Sequence, residues 1–453
     1  MFEFGRELKR LFSGAVKPPQ DGMTGGDVTL LEFLDLRMLA AEAKSADVAA
    51  GRVGAKDRAQ RLLDSASIWR EVARRSGDPA SLRKAASTAE AAGKLFSAAH
   101  RMQGWARSRV EQARCAMLGA ELYGDDGLNA AAEATLREAL PHGGAAAALA
   151  DAALASLAGR RILSGGDEAA VRLAARRFNA PLALLEAAGR RNGALKLEAA
   201  EARISRAEIL AGCGLRLRDS SLIEAALRDA EAAIAGLDTT YEPLTWVRVE
   251  IARTSTLAAL AEVTGDIGGL ADAVGALAAA QTHLARDQSP LDWARGQIAL
   301  ADGLQTLGEA GFNEQAFEKA VTCLDRATAV VRAIPALALA ATVASNRALC
   351  LARSAELTGD LAVLNAAEAA FKSELSSGAH LRDPVAWALT QANLARLYET
   401  RMELTHRDRG ERAAAAMAYG EALEVFSDRG LRSLADMAAQ GLERLRETVG
   451  RRV

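Results

Sequence analysis

Two stretches, PLTWVRVEIARTSTLAALAEVTGDIGGLADAVGALAAA at 243–280 and PLDWARGQIALADGLQTLGEAGFNEQAFEKAVTCLDRA at 290–327, superimpose without a gap at an offset of 47 residues. Pro243 falls on Pro290, Trp246 on Trp293, Arg248 on Arg295, Leu257 on Leu304, Ala273 on Ala320, Leu277 on Leu324 and Ala280 on Ala327. Self-similarity at a fixed period marks a repeat architecture, in which each unit buries its apolar face only against its neighbours.

The period extends outward in both directions. Trp105, Trp246, Trp293 and Trp387 are separated by 141, 47 and 94 residues, and Trp69 stands outside this series. Asp78, Asp125, Asp219, Asp266 and Asp360 hold a second register, in which Asn313 fills a place, and Gly77, Gly124, Gly265 and Gly359 precede four of them. Ala85, Ala132, Ala226, Ala273, Ala320, Ala367 and Ala414 hold a third, and Glu121, Glu262, Glu309, Glu356 and Glu403 a fourth.

Each register has a physical meaning. Glycine takes the left-handed conformation that ends a helix, and aspartate caps the free N–H groups that begin the next. A unit is therefore helix A, a Gly-Asp turn and helix B. Pro243, Pro290 and Pro384 each lie three residues before a tryptophan, at the start of helix A, where no N–H is needed. Helix A spans about 20 residues, or about 30 Å, with Trp246, Leu257 and Leu260, then Trp293, Leu304 and Leu307, expected on its buried face. Helix B carries Ala132/Leu136/Ala139, Ala273/Leu277/Ala280 and Ala320/Leu324/Ala327, spaced to share one face and let neighbours approach closely.

The Ala-large-Ala spacing of helix B resembles the second helix of the tetratricopeptide repeat, with Ala415/Tyr419/Ala422 one residue off the alanine register. Asn393-Leu394-Ala395 and Tyr398 resemble the first helix of that family. The repeat here is 47 residues rather than about 34, as helices longer by one or two turns would make it. The resemblance covers most of residues 53–427. It implies an all-α fold: a right-handed superhelical solenoid of about eight antiparallel helix pairs, whose first helices line a concave groove that binds protein or peptide.

Residues 28–453 read as the solenoid, with 28–46 as a capping helix and another cap near 431–449. Residues 13–27 read as a flexible linker behind an N-terminal amphipathic segment. Between about 141 and 197 the register fails: the Asp and Ala positions fall on Arg172 and Asn179, and Gly166-Asp167 comes five residues early. This is the mark of an irregular unit, read as a bend.

Composition agrees with helices: half the residues are hydrophobic, aromatics are 4%, and there are nine prolines. With 56 basic and 58 acidic residues the net charge is −2, without the basic surplus that nucleic-acid binding calls for. Cys115, Cys213, Cys323 and Cys350 lie far apart and read as buried free thiols in a reducing, cytoplasmic setting. No secretory leader or membrane-spanning stretch is apparent. Nor is there a nucleophile elbow, Walker A loop, dinucleotide fingerprint or HExxH, and the five histidines are scattered. The chain is read as non-enzymatic, with no catalytic, cofactor or metal residues.

Partner binding has two sequence candidates. Arg107, Arg248 and Arg295 each follow a tryptophan by two residues, and the family resemblance places this register in the groove, where it would suit an acidic partner. The alternative is salt bridging to helix A carboxylates such as Glu111 or Glu250. Arg107 lies three units from Arg248, so a continuous stripe is expected only for the latter pair. The recurrent glutamates sit where the helix dipole opposes them, which calls for a recurring partner such as an arginine of the next unit. Phe2, Phe4, Leu8, Leu11 and Phe12, with Arg6, Lys9 and Arg10, form an N-terminal face suited to a membrane surface, a partner or the solenoid end. The leading reading is a scaffold or adaptor binding a protein or peptide in its groove. The alternatives are a ligand-responsive regulator acting through curvature, and a peripheral membrane adaptor anchored by residues 1–14.

The face assignment of helix B is testable. Ala273→Leu should overpack it and lower unfolding free energy by about 1–3 kcal/mol in urea titrations; a neutral result would place Ala273 off the interface.

Overall fold

The Gly-Asp boundary is where the chain reverses in the computed structural model, which describes residues 30–450 apart from 53–54, 164 and 377–382. Gly77, Gly124, Gly265 and Gly359 have φ of 70, 70, 75 and 73°. The aspartate that follows accepts backbone N–H bonds from the next helix start in three of them, Asp78 from Ala80 and Ser81, Asp125 from Gly127 and Asp360 from Ala362, while Asp266 accepts from Gly268, two residues ahead of its helix. The same left-handed turn recurs at Arg218, Phe312 and His406, with φ of 53, 49 and 52°. The geometry thus persists at the 47-residue period where the glycine does not. Only at Val171, inside a helix of the irregular unit, is the turn missing from the series.

After α1 (Leu36–Arg52) the helices pair in chain order. The pairs are α2 (Ala55–Ser76) with α3 (Pro79–Ala98), and α4 (Met102–Tyr123) with α5 (Asp126–Ala139). In the irregular unit α6 (Gly144–Ile162) is followed by two short helices, α7 (Glu168–Arg177) and α8 (Asn179–Gly189). Regular pairs resume with α9 (Gly193–Leu217) and α10 (Ser220–Gly236), α11 (Pro243–Thr264) and α12 (Leu270–His283), and α13 (Pro290–Gly311) and α14 (Glu314–Val331). They end with α15 (Leu337–Thr358) and α16 (Leu361–Ser376), α17 (Pro384–Thr405) and α18 (Glu411–Asp428), then α19 (Arg432–Gly450). No strand occurs among the described residues. The fold is an all-α solenoid of helix pairs packed in chain order. The start of the expected 28–46 capping helix lies outside the described residues; within them, the Asp35 carboxylate accepts the Met38 amide at 2.7 Å at the start of α1.

The B helices pack as their small residues require. Ala132, Leu136, Ala139, Ala273, Leu277, Ala320 and Ala327 are wholly buried, and Tyr419 sits buried between Ala415 and Ala422. On the A helices Leu257 is buried as expected and Trp246, Trp293, Leu304 and Leu307 pack half-buried against the core, with Leu260 also half-buried; beyond that face, Val247, Arg248, Val249 and Glu250 are buried in succession. Consecutive buried residues point in every direction around a helix. Helix α11 is therefore enclosed on all sides, its own B helix being only one of its neighbours.

The other neighbours come from the superhelix returning on itself. Helix α2 touches α13, and α4 touches α15. Leu291 and Ala336 join a single core with Leu39, Trp69, Val72 and Leu82. The segment before α1 fastens this closure. The buried Glu32 carboxylate accepts from the Leu244 and Thr245 amides at 3.0 and 3.1 Å and from the Thr245 hydroxyl, capping α11 from 212 residues away. Arg75, 1% exposed, donates to the carbonyls of Leu31 and Leu34, and Gln288 donates to that of Glu32.

The three non-glycine turns carry backbone strain. Phe312, 80% exposed, has no packing to set against it. Phe312→Gly should raise stability by about 1 kcal/mol, read as a higher Tm by calorimetry; a lower Tm would show that the ring stabilises the turn.

Candidate functional site: a charged cavity inside the superhelix

The A helices form the inner wall of the coil. Residues of α2, α4, α6, α9, α11 and α13 surround a cavity of about 370 Å³, with Leu31 and Glu32 of the N-terminal segment at its edge. Arg107, Arg248 and Arg295 all line it. The sequence groups only the latter two, because it counts repeats along the chain. Winding brings α4 next to α13, so the three-unit separation of Arg107 does not exclude it.

Arg248 is buried and directs its guanidinium to three other helices. Nε and Nη2 donate to Asp292 of α13 at 3.0 and 2.8 Å, Nη2 also to Glu71 of α2 at 3.0 Å, and Nη1 to Glu201 of α9 at 3.4 Å. Arg295 donates to Glu121 of α4 at 2.6 Å. Arg74 grips Glu201 with two bonds of 2.8 Å, Arg70 holds Glu111 at 2.6 Å, and Arg114 pairs with Glu198. Arg107 is also engaged within the chain. Of the carboxylates considered as intrahelical partners, Glu111 pairs with Arg70 and Glu250 with Arg253. Arg248 instead joins the two adjoining units through Glu201 and Asp292 and, through Glu71, a helix 177 residues away.

These contacts decide ionisation. Burial alone would raise the Glu71 carboxyl, but the Arg248, Arg75 and Arg74 guanidiniums outweigh it and hold the group well below the ordinary carboxylate range. Asp292 is held low in the same way, against its burial, by Arg248 and Arg74. Two cavity carboxyls go the other way: burial raises both Glu32 and Glu208.

Three of the five recurrent glutamates find arginines in adjoining units. Glu121 meets Arg160, Glu309 meets Arg353, and Glu356 meets Arg396. Arg70, Arg74, Glu71 and Glu201 were not singled out by sequence, yet two of them carry a readable signal. Arg74 occupies the glutamate register one repeat before Glu121, and Glu201 the arginine register one repeat before Arg248. Both registers reverse sign, and the two reversed residues bind each other.

The four cysteines are buried free thiols, and burial pushes that of Cys350 up to about 12. Phe2, Phe4, Leu8, Leu11 and Phe12 lie outside the described residues. No helix among the described residues is long and apolar enough to cross a membrane.

No protein-family model matches the chain, and no curated protein matches it. Solved structures do. A Rap protein complexed with competence and sporulation factor is 13% identical over 87% of this chain and all of that one, with a TM-score of 0.47. Yeast Tom70 is 10% identical over 90% of this chain and 97% of that one, at 0.27. The APC/C hetero-tetramer Cut9-Hcn1 is 13% identical over 93% and 98%, at 0.22.

One inner-helix carboxyl generates a pH prediction. Burial pushes Asp302 of α13 up to about 7, despite the bond it accepts from Asn346 at 2.9 Å. The folded state therefore holds this proton more tightly than the unfolded chain, and stability is lost as pH rises from about 4 to about 7. Asp302→Asn removes that loss while keeping an acceptor for Asn346. Its Tm gain should be absent near pH 4, grow up to about pH 7 and then level off. A gain independent of pH would contradict this assignment.

Proposed function

We propose that the chain is a non-enzymatic protein-interaction scaffold that takes a segment of a partner into the cavity ringed by its inner helices. The carrying observation is the cavity itself: guanidinium and carboxylate groups stand beside apolar surface from Val110, Leu149 and Ile251. An extended peptide offers such a wall side chains of either charge and backbone groups to bind. Arg107, Arg248 and Arg295 are the contact candidates. Partner carboxylates would compete for them with Asp292 and Glu121, so an acidic segment binds by exchanging ion pairs rather than by filling empty ones. The buried free thiols fit a reducing, cytoplasmic setting.

A second reading, a ligand-responsive regulator, is favoured by one observation. Arg74–Glu201, Arg248–Glu71 and Arg295–Glu121 join helices 127, 177 and 174 residues apart. A ligand that takes over one of these partners releases a contact that sets the curvature, which couples binding to shape.

Photo-crosslinkers at Ser67 and Met117, which line the cavity, and at Met417, 65% exposed on α18, test both readings. Capture of the same partner peptide from both cavity positions supports the scaffold; capture only from Met417 overturns it. Small-angle scattering of the complex then decides the second reading: a changed radius of gyration supports regulation through curvature, and an unchanged one removes it.

A further inference from the structure

The irregular unit builds a second cleft that shares no lining residue with the central cavity. Because α7 and α8 stand where one B helix would run, α7, α9 and α10 leave a space of about 300 Å³ between them. Arg172, Arg176, Arg206 and Arg228 line it, over an apolar floor that includes Leu210 and Leu222, and Asp229 is its only lining carboxylate.

The four guanidiniums are not equivalent. Arg206 is fixed: Nε donates to Asp229 at 2.6 Å and Nη1 to the Asn179 side chain at 2.8 Å. Asp229, 4% exposed, is shared with Arg203 at 3.0 Å, so its charge is already spent on two partners. Arg172 is held by Glu168 at 2.7 Å and Ser221 at 3.0 Å, with Asp219 at 3.6 Å. The side chains of Arg176 and Arg228 make no hydrogen bond or ion pair with any described residue, and both are exposed. In the central cavity, by contrast, Arg70, Arg74, Arg114, Arg248 and Arg295 are each met by a carboxylate. Here two are left over, on different helices, beside a third whose position is locked.

We propose that this cleft binds a phosphoryl group. A phosphate monoester dianion offers several acceptor oxygens to guanidiniums approaching from different sides, which a single carboxylate does not. The space also leaves room for the group that carries it.

The full chain is titrated calorimetrically, at fixed ionic strength, with inorganic phosphate, a phosphoserine peptide, its unphosphorylated form and acetate. Saturable binding of a phosphate probe at least tenfold tighter than acetate is expected, with at least a tenfold loss in Arg176→Gln/Arg228→Gln. Because both side chains are exposed and unpaired, the Tm of this variant should not change. If it does, Arg176→Lys/Arg228→Lys, which keeps the charges but not the planar forks, should still weaken binding severalfold. A phosphopeptide at least tenfold tighter than inorganic phosphate assigns the group to a modified partner protein; equal or weaker peptide binding assigns it to free phosphate or a small ester. Absence of saturable phosphate binding, equal affinity for acetate, or an affinity unchanged in the folded variants overturns the proposal.

Discussion

The Arg248 guanidinium is buried where four inner helices meet, and the closed superhelix depends on its neutralisation. A buried charge that loses one partner leaves the others uncompensated, at a typical cost of about 3–5 kcal/mol. Arg248 has carboxylates from α2, α9 and α13 around it. Glu201 and Asp292 come from the helices that flank α11, whereas Glu71 reaches it only while the coil brings α2 back to this point. The requirement runs both ways: closure supplies that counter-charge, and the counter-charge penalises opening. Glu32 adds a second fastening of the same kind, a buried carboxyl satisfied by the first amides of α11. The curvature of a solenoid is usually the sum of many small rotations between neighbours. Here it is also held by contacts between units that are not neighbours.

The parts of the fold that are legible in sequence are those determined by local chemistry. A glycine at φ near 70° and the aspartate after it act within one turn, so Gly77-Asp78 and Gly359-Asp360 declare helix boundaries on their own. The Ala-Leu-Ala triads of the B helices are equally local, because a small residue has one role at a close helix contact. The faces of the A helices are legible only in part, for a related reason. Leu260 and Leu304 form part of an apolar stripe, but an inner helix has neighbours on every side, and a stripe carries little information when the polar positions are buried too.

What escaped the sequence is what depends on the pitch of the coil. Nothing near residue 32 indicates that a glutamate will cap a helix starting at Pro243, and counting repeats along the chain places Arg107 away from Arg295. Only the winding makes them line one cavity. The sign reversals at Arg74 and Glu201 were visible as departures from two registers. Their meaning was not, since it requires knowing that α2 and α9 face each other.

Departures from a repeat therefore carry more functional information than the repeat. A perfect register describes how a unit packs on its neighbour, which is the same question in every unit. The two departures here resolve their charge differently. At Arg74 and Glu201 the altered signs are complementary and the two residues neutralise each other inside the coil. In the irregular unit the turn is missing at Val171 and the chain breaks instead at Phe178, and the arginines that α7 and α10 bring to the gap exceed the carboxylates available to them. A matched pair in a low-dielectric interior has its counter-charge built into the fold, and binding there must exchange one ion pair for another. An unmatched pair at an open cleft has only water and mobile counter-ions to displace. On these proposals, an occupant of the central cavity exchanges ion pairs that hold the coil, whereas an anion in the cleft of the irregular unit displaces none.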